Sequence, residues 1–233
     1  MAEQQSGAAA RRGVMDRIWA SWRAPRREFA ALLAARPGEA TLLTFLMIAG
    51  LFGFMSRFAD HAATPLSLSD PVFIAEWEQR YTDDTGRDPA DLSDAQKRAA
   101  LTQAMDDKLT SERLGMMIGS FIIFPLGVYL LASLAAPVLR WAGGEGGGYG
   151  TRAAMAWAAV CVAPIGFAAQ LALIMASAPP TAETIAGVVL GALWLWFLAT
   201  FLAEAHGFRS GVKILGVVLA ALLATVGAVQ IFG

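Results

Sequence analysis

The chain has few of the residues from which catalytic and metal sites are usually built. Among its 233 residues are one cysteine and two histidines. The single cysteine, Cys161, excludes an intramolecular disulfide and a thiolate metal cluster. Charged residues make up 16% of the chain, where an ordinary globular domain has about 25%. The net charge of −1 gives no electrostatic reason to expect a nucleic-acid partner.

Long apolar segments account for the low charge. From Leu114 to the end, only seven residues are charged. A helix needs roughly 20 predominantly apolar residues to cross the hydrocarbon of a bilayer. Five segments meet this requirement, at about 40–58, 114–139, 153–178, 184–203 and 211–232. The sequence therefore predicts an all-α integral membrane bundle of five transmembrane helices.

Residues 1–37 precede the first predicted span, which with its flanks covers 38–58. They contain no apolar core of a signal peptide, so we expect that span to be an uncleaved anchor. Residues 1–10 are typical of a disordered tail, and 14–35 have apolar residues at helical spacing. Pro25 predicts a kink or the start of a second helical piece. A basic amphipathic helix with tryptophans is typical of the membrane interface, and the predicted contact residues are Trp19, Trp22, Arg23, Arg26 and Arg27.

The distribution of Lys and Arg predicts the orientation. Seven arginines precede the first span, and further basic residues lie beside the second and fourth connections. The third connection, APPTAE, has none, and the C-terminus is uncharged. Because positive residues favour the cytoplasmic side, we expect a cytoplasmic N-terminus and an extracytoplasmic C-terminus. The odd number of spans agrees with this topology.

The connection 59–113 is the only long polar segment, and we expect it to be extracytoplasmic. Asp70 followed by Pro71 is typical of an N-cap with proline at the first helical position. Ser93 and Gln96 fit a capping box. The segment therefore predicts two helices, at about 71–81 and 94–112. The last region, 114–233, is predicted to form a four-span membrane bundle.

A glycine-rich connection, residues 143–150, separates the second and third spans. Six of its eight residues are glycine: Gly143, Gly144, Gly146, Gly147, Gly148 and Gly150. It lacks the lysine of a phosphate-binding loop, so we interpret it as a flexible hinge. DDTGRD at 83–88 lacks the ligand spacing of a calcium loop. We expect no metal and no cofactor.

Polar residues within the predicted spans are few. No span has a charged residue near its centre, which argues against an ion-coupled transporter. Arg152, Glu204 and His206 lie at the predicted cytoplasmic ends of spans as a possible polar contact. Glu204 and His206 fit either a proton site or side chains that simply reach water. No Ser–His or paired-Asp arrangement within the spans supports an intramembrane protease.

Small residues recur at the spacing that lets helices approach closely. Two GxxxG pairs lie in the second and fourth spans: Gly115 with Gly119, and Gly187 with Gly191. Such pairs support packing inside the bundle or association with another membrane protein or a second copy. The spacing does not separate these alternatives.

The chain contains four distinctive motifs: WRAPRREF at 22–29, GGGYGTRAAMAW at 146–157, APIGF at 163–167 and LAEAHGF at 202–208. Together they resemble the bacterial branch of the Yip family, the Ypt/Rab-interacting membrane proteins. The resemblance implies five spans and a cytoplasmic N-terminus. Eukaryotic members bind Rab-type GTPases in vesicle traffic. This chain lacks their Asp-Leu-Tyr-Gly-Pro motif, and its Ala- and Arg-rich composition is typical of bacteria. We therefore expect a bacterial inner (cytoplasmic) membrane and no Rab-type partner.

The leading functional hypothesis is a non-enzymatic scaffold or adaptor that organises lipids or partner proteins. Its expected partners are the lipid bilayer and other membrane proteins or a second copy, with no nucleic acid. The alternative is a small-solute transporter or channel, which requires a polar path through the spans. A third class is a membrane enzyme that uses Arg152, Glu204 and His206.

Overall fold

The structure, a computed structural model, describes residues 13–63 and 67–216. Within them every regular element is helical, so the predicted all-α fold is confirmed. The chain divides into two compact units, one of Met1–Ser56 with Ser120–Gly233 and the other of Arg57–Gly119. The predicted tail 1–10 lies outside the described residues. So does most of the predicted fifth span, of which 211–216 are described and helical.

Eight α-helices follow one another along the described chain: α1 (Val14–Arg23), α2 (Pro25–Ala35), α3 (Glu39–Ala63), α4 (Pro71–Thr85), α5 (Asp94–Ile118), α6 (Phe124–Trp141), α7 (Gly148–Met175) and α8 (Pro180–Ala205). A 3-10 turn, Pro89–Asp91, precedes α5, and a π-helical segment, Gly119–Ile123, joins α5 to α6.

Four described helical stretches are long and apolar enough to cross a membrane: α3, the 48-residue stretch Asp94–Trp141, α7 and α8. They correspond to the first four predicted spans, although the third ends at Met175 and not at 178. The sequence separates a helix at 94–112 from a span that begins at 114, whereas the helix runs through both. No proline interrupts it there, and Gly115 alone costs only about 1 kcal/mol in a helix.

One face of α6 presents apolar side chains outward at helical spacing. Leu126, Leu130 and Leu134 are all exposed, and Trp141 at its end is 91% exposed. Exposed apolar side chains along a whole helix are costly in water, and they suit contact with lipid. The face is consistent with an integral membrane protein, with Trp141 at the end where aromatic belts occur.

Two prolines determine local backbone structure. Pro25 keeps Ala24 out of the helical region (φ −145°, ψ 67°) and occupies the first turn of α2, as its restricted geometry predicts. Pro25 therefore starts a second helix. Pro125 has no N–H for the carbonyl one turn earlier, and the π-helical segment precedes it. Such a segment accommodates the missing bond by widening one turn.

The core of the first unit is formed where the buried halves of α7 and α8 meet. On α7 the residues from Gly150 to Val162, apart from Arg152, are buried, and on α8 most residues from Phe197 to Ala203 are buried. Trp157 and Phe197 are its largest completely enclosed side chains, together with Phe29 and Phe201. The beginning of α7 and the end of α8 are thus enclosed by protein.

The second unit, Arg57–Gly119, contains α4 and the whole of α5, and both predicted caps are confirmed. Asp70 accepts hydrogen bonds from the first-turn amides of α4, and Ser93 with Gln96 forms the capping box of α5. Phe73, Trp77 and Leu101 form its small core. Two ion pairs link the helices: Lys97–Glu78 at 2.6 Å and Lys108–Glu76 at 2.8 Å.

Candidate functional site

The first turn of α7, residues 148–152, is here called the GYGTR segment. The Tyr149 hydroxyl donates to the Pro37 carbonyl at 2.8 Å. The Arg152 guanidinium donates to Glu39 Oε1 through Nε at 3.1 Å and through Nη2 at 2.5 Å. The segment therefore fixes the start of α7 to the connection between α2 and α3 and to the first residue of α3.

Glu39 also binds a third helix. The Tyr129 hydroxyl of α6 donates to Glu39 Oε2 at 2.9 Å. Glu39 lies in the first turn of α3, where the helix dipole favours a carboxylate. One side chain thus joins the beginnings of α3 and α7 to α6. We call the end of the unit where α3 and α7 begin and α6 and α8 end the polar end.

His206 follows α8 and is almost completely buried, with 1% of its surface exposed. Its Nε2 shares a 2.9 Å hydrogen bond with Thr151 Oγ1 of the GYGTR segment. Its Nδ1 is buried and has no hydrogen-bond partner among the described residues. Burial lowers the pKa of His206 below its ordinary 6.5, and the nearby Arg140 charge lowers this pKa further. The protein therefore favours the neutral imidazole.

Acidification should destabilise the protein through His206. Above about pH 6.5 the imidazole is neutral in both states; below it the unfolded chain binds the proton first. The free energy of unfolding then falls by at most about 1.4 kcal/mol per pH unit until the folded pKa is reached. Thermal unfolding from about pH 7.5 to about pH 5.5 should show a steeper loss than in His206→Gln. Equal slopes would contradict this assignment.

The glycine-rich connection packs against the turn 205–208 that follows α8. The amide of Glu145 donates to the His206 carbonyl at 3.0 Å. A Cβ on Gly146 would collide with the Ala205 carbonyl oxygen and lie 2.8 Å from His206 Nδ1. Any residue with a Cβ would clash at this position, which explains why it is glycine. A hinge function for the connection stays a prediction.

The other predicted hinge glycines differ in their surroundings. A Cβ on Gly144 would lie 2.9 Å from the Leu139 carbonyl oxygen, and one on Gly150 would lie 3.2 Å from the Ala205 side chain. Gly143 has a φ of 95°, which disfavours any other residue. A Cβ on Gly147 would meet no atom within 4 Å. Gly148 begins α7.

Helices α1 and α2, here called the N-terminal hairpin, pack on α7 and α8. The Trp22 indole donates to the Cys161 carbonyl at 3.2 Å and meets the Phe197 ring edge to face, with centroids 4.8 Å apart. The Trp157 indole donates to Ser21 Oγ at 3.0 Å. Buried indole N–H groups need such acceptors. These bonds fix the N-terminal hairpin in one position on the bundle.

Arg26 adds further contacts between the N-terminal hairpin and the bundle, at the polar end. Its guanidinium donates to Glu204 Oε2 at 3.2 Å, to the Phe208 carbonyl at 2.8 Å and to the Arg209 carbonyl at 3.2 Å. Phe208 and Arg209 lie in the non-helical chain just beyond α8, so the guanidinium supplies hydrogen-bond partners that a helix would otherwise provide. Of the predicted interface residues, Trp22 and Arg26 therefore face protein.

Arg26→Gln should lower the free energy of unfolding by about 1 kcal/mol, because hydrogen bonds to charged groups are lost from a partly exposed site. Arg23→Gln is the matched control, since Arg23 is also exposed but forms none of the bonds that link Arg26 to Glu204, Phe208 and Arg209. It should change stability by less than about 0.5 kcal/mol. Thermal unfolding of both variants in one detergent checks this. An equal effect would argue against the Arg26 contacts.

Trp19, Arg23 and Arg27 remain on the outer surface of the hairpin. They line an open cleft with Asp16 and Ala20, and Trp19 is 61% exposed. The structure thus divides the predicted interface residues into two that bond to the bundle, Trp22 and the still exposed Arg26, and an outward trio. Their contact with a membrane surface stays a prediction.

The predicted helix-packing glycines have little around them. A Cβ on Gly115, Gly187 or Gly191 would meet no described atom within 4 Å, and one on Gly119 would lie 3.4 Å from the Arg57 guanidinium. Association through these glycines therefore stays a prediction. No cluster of three potential metal ligands occurs among the described residues.

Sequence reasoning missed Glu39, Tyr129, Tyr149 and Thr151. Glu39 offered one signal, a lone carboxylate at the start of a span, and Tyr149 and Thr151 lie within GGGYGTRAAMAW. Three of the four motifs that carry the family resemblance meet at the polar end or along the docked hairpin. WRAPRREF supplies Trp22 and Arg26, GGGYGTRAAMAW supplies the GYGTR segment, and LAEAHGF supplies Glu204 and His206.

Comparison with known proteins identifies a family for the chain. A family model described as "Yip1 domain" matches residues 19–231. The match begins within the N-terminal hairpin and includes every span of the described bundle. Searches of curated proteins and of solved structures gave no match. The chain is therefore an integral membrane protein that belongs to the Yip family.

Proposed function

We propose that the protein is a non-enzymatic scaffold that organises partner proteins or lipids at its polar end. The observation that carries this is the docked N-terminal hairpin, which is fixed through Trp22 and Arg26 while Trp19, Arg23 and Arg27 face outward. Tryptophan and arginine are the residues most enriched in binding hot spots. A surface held rigid before binding loses little entropy when a partner docks.

The buried groups also support a scaffold more than a transporter. The buried polar side chains of the described residues are Ser21, Ser120, Thr151 and His206. None is a carboxylate, a lysine or an arginine, and His206 lies beyond the end of α8. An ion-coupled carrier uses ionisable groups inside its spans. Proteins of the Yip family are not known as enzymes.

We place the polar end on the cytoplasmic side of a bacterial inner membrane. The N-terminal hairpin, Arg140, Arg152 and Arg209 all belong to this end or to its connections, and positive residues favour the cytoplasmic face. The C-terminus would then be extracytoplasmic. The outward trio of the hairpin would face partners at the cytoplasmic surface, either another membrane protein or a second copy.

Crosslinking in native membranes, followed by affinity purification and mass spectrometry, tests the scaffold. The informative variant is the double substitution Arg23→Gln with Arg27→Gln, which spares Arg26 and the docking. The control is Arg36→Gln with Arg209→Gln, which removes the same charge outside the cleft. Partners recovered with wild type and control but lost from the first variant would support the proposal. Finding no reproducible partner, or equal loss in both variants, would overturn it.

A further inference from the structure

The outer cleft of the N-terminal hairpin, here called the hairpin cleft, has a distinct chemistry. It is lined by Asp16, Trp19, Ala20, Arg23 and Arg27. The Arg27 side chain is 78% exposed and makes a weak contact with the Glu28 carboxylate at 3.5 Å. Arg23 is exposed and forms no ion pair with a described residue. Two guanidinium groups thus border one opening, beside an exposed indole.

The position of the cleft along the bundle suits a lipid headgroup. Trp22 of α1 contacts Cys161 and Phe197. Cys161 follows Arg152 by nine residues, about 13 Å along a helix, and Phe197 precedes Glu204 by seven, about 10 Å. Trp22 therefore lies inward of the charged residues at the polar end, while Arg26 of the same hairpin contacts Glu204 at that end. The hairpin thus covers a range of depths that includes the boundary of headgroups and acyl chains, where amphipathic helices lie about 5–10 Å deep.

We propose that the hairpin cleft binds the phosphate of an anionic phospholipid. This inference rests on the proposed function and names a lipid as one partner of the outward trio. Arg23 and Arg27 would donate to the phosphate oxygens, since guanidinium forks match phosphate geometry. Trp19, with Met15 exposed nearby on α1, would lie among the glycerol groups and upper acyl chains, where amphipathic rings are favoured.

A substitution at Asp16 provides a second, independent test of lipid binding in the hairpin cleft. Its carboxylate lines the same cleft and repels a bound phosphate. Asp16→Asn therefore removes repulsion and should strengthen retention of anionic lipid. A gain of binding is not produced by misfolding. The pair of arginines and the single aspartate thus predict changes of opposite sign.

The test uses the full chain, purified and reconstituted into nanodiscs of phosphatidylglycerol and phosphatidylcholine in equal parts. After detergent extraction, native mass spectrometry counts the lipids that remain bound. Wild type should retain phosphatidylglycerol in preference to phosphatidylcholine. The double variant Arg23→Gln with Arg27→Gln should bind it roughly thirtyfold more weakly, at the usual contribution of two basic residues near a membrane surface. Asp16→Asn should retain more than wild type.

The control, Arg36→Gln with Arg209→Gln, should retain phosphatidylglycerol like wild type. Equal loss in both double variants would mean that general charge, and not the cleft, attracts the lipid. Equal retention of both lipids by wild type, or no gain with Asp16→Asn, would also overturn the inference. The assay needs no partner protein. If lipid retention fails while crosslinking still finds a cleft-dependent partner, the scaffold stands and the cleft binds protein.

Discussion

Gly146→Ala is expected to lower the free energy of unfolding by about 3 kcal/mol, at the upper end of overpacking effects. The new Cβ would collide with the Ala205 carbonyl oxygen and approach His206 Nδ1 at 2.8 Å. Neither neighbour is the far end of a flexible side chain: one is backbone, and the other is an imidazole held by Thr151. The clash is relieved only if the glycine-rich connection moves away from the turn 205–208. Thermal unfolding in one detergent measures the loss.

Gly147→Ala is the matched control, one residue further along the same connection. Gly147 has extended backbone angles, φ −100° and ψ 174°, and a Cβ there meets no atom within 4 Å. Its substitution should leave the unfolding temperature nearly unchanged. If the two variants were equally stable, the connection would be as free as a flexible hinge and the packing described here would be wrong.

Gly50→Ala should have the second largest effect, a loss of about 2 kcal/mol. Gly50 lies in α3 and is buried, and a Cβ there would collide with the Ser120 carbonyl oxygen in the π-helical segment. The contact lets two helix backbones approach at the site where Pro125 widens the helix. Alanine would force them apart. Unfolding temperature and detergent-solubilised yield check the prediction.

Gly53→Ala separates this steric effect from helix propensity. Gly53 lies one turn later on α3, and a Cβ there meets no atom within 4 Å. Because alanine favours a helix over glycine by up to about 1 kcal/mol, this variant should be neutral or slightly more stable. Substitutions at Gly50 and Gly53 should therefore differ in sign. Stabilisation by both would contradict the close approach at Ser120.

Features that depend on neighbouring residues were predictable from the sequence. The caps at Asp70 and Ser93 each involve residues within three positions, so a short pattern determines them. Pro25 acts on its immediate neighbour. The length of apolar segments is similarly local, which explains why the first, third and fourth spans agree with their predicted positions to within about five residues. The second differs because its helix already begins at Asp94.

The candidate site depends on contacts that no short pattern contains. Arg152 and Glu39 are 113 positions apart, and Thr151 and His206 are 55 apart. Periodicity also found the amphipathic hairpin without indicating which flank packs on α7. Trp19 and Trp22 lie on neighbouring flanks of one helix, and only the packing separates the exposed from the docked indole. Glycine composition likewise predicts flexibility and close approach equally well.

The most direct test of the account is whether the N-terminal hairpin is docked on α7 in the membrane. Ser21 accepts a hydrogen bond from Trp157, one turn before Cys161, and the neighbouring Trp22 donates to the Cys161 carbonyl. Ser21 therefore lies beside Cys161, which is the only native cysteine. Ser21→Cys therefore creates one possible intramolecular pair, which mild oxidation of native membranes followed by thiol counting can detect. Trp19→Cys, on the exposed flank, is the control. The account predicts loss of both thiols in Ser21→Cys and their retention in the control. Two free thiols in both variants would contradict a docked hairpin.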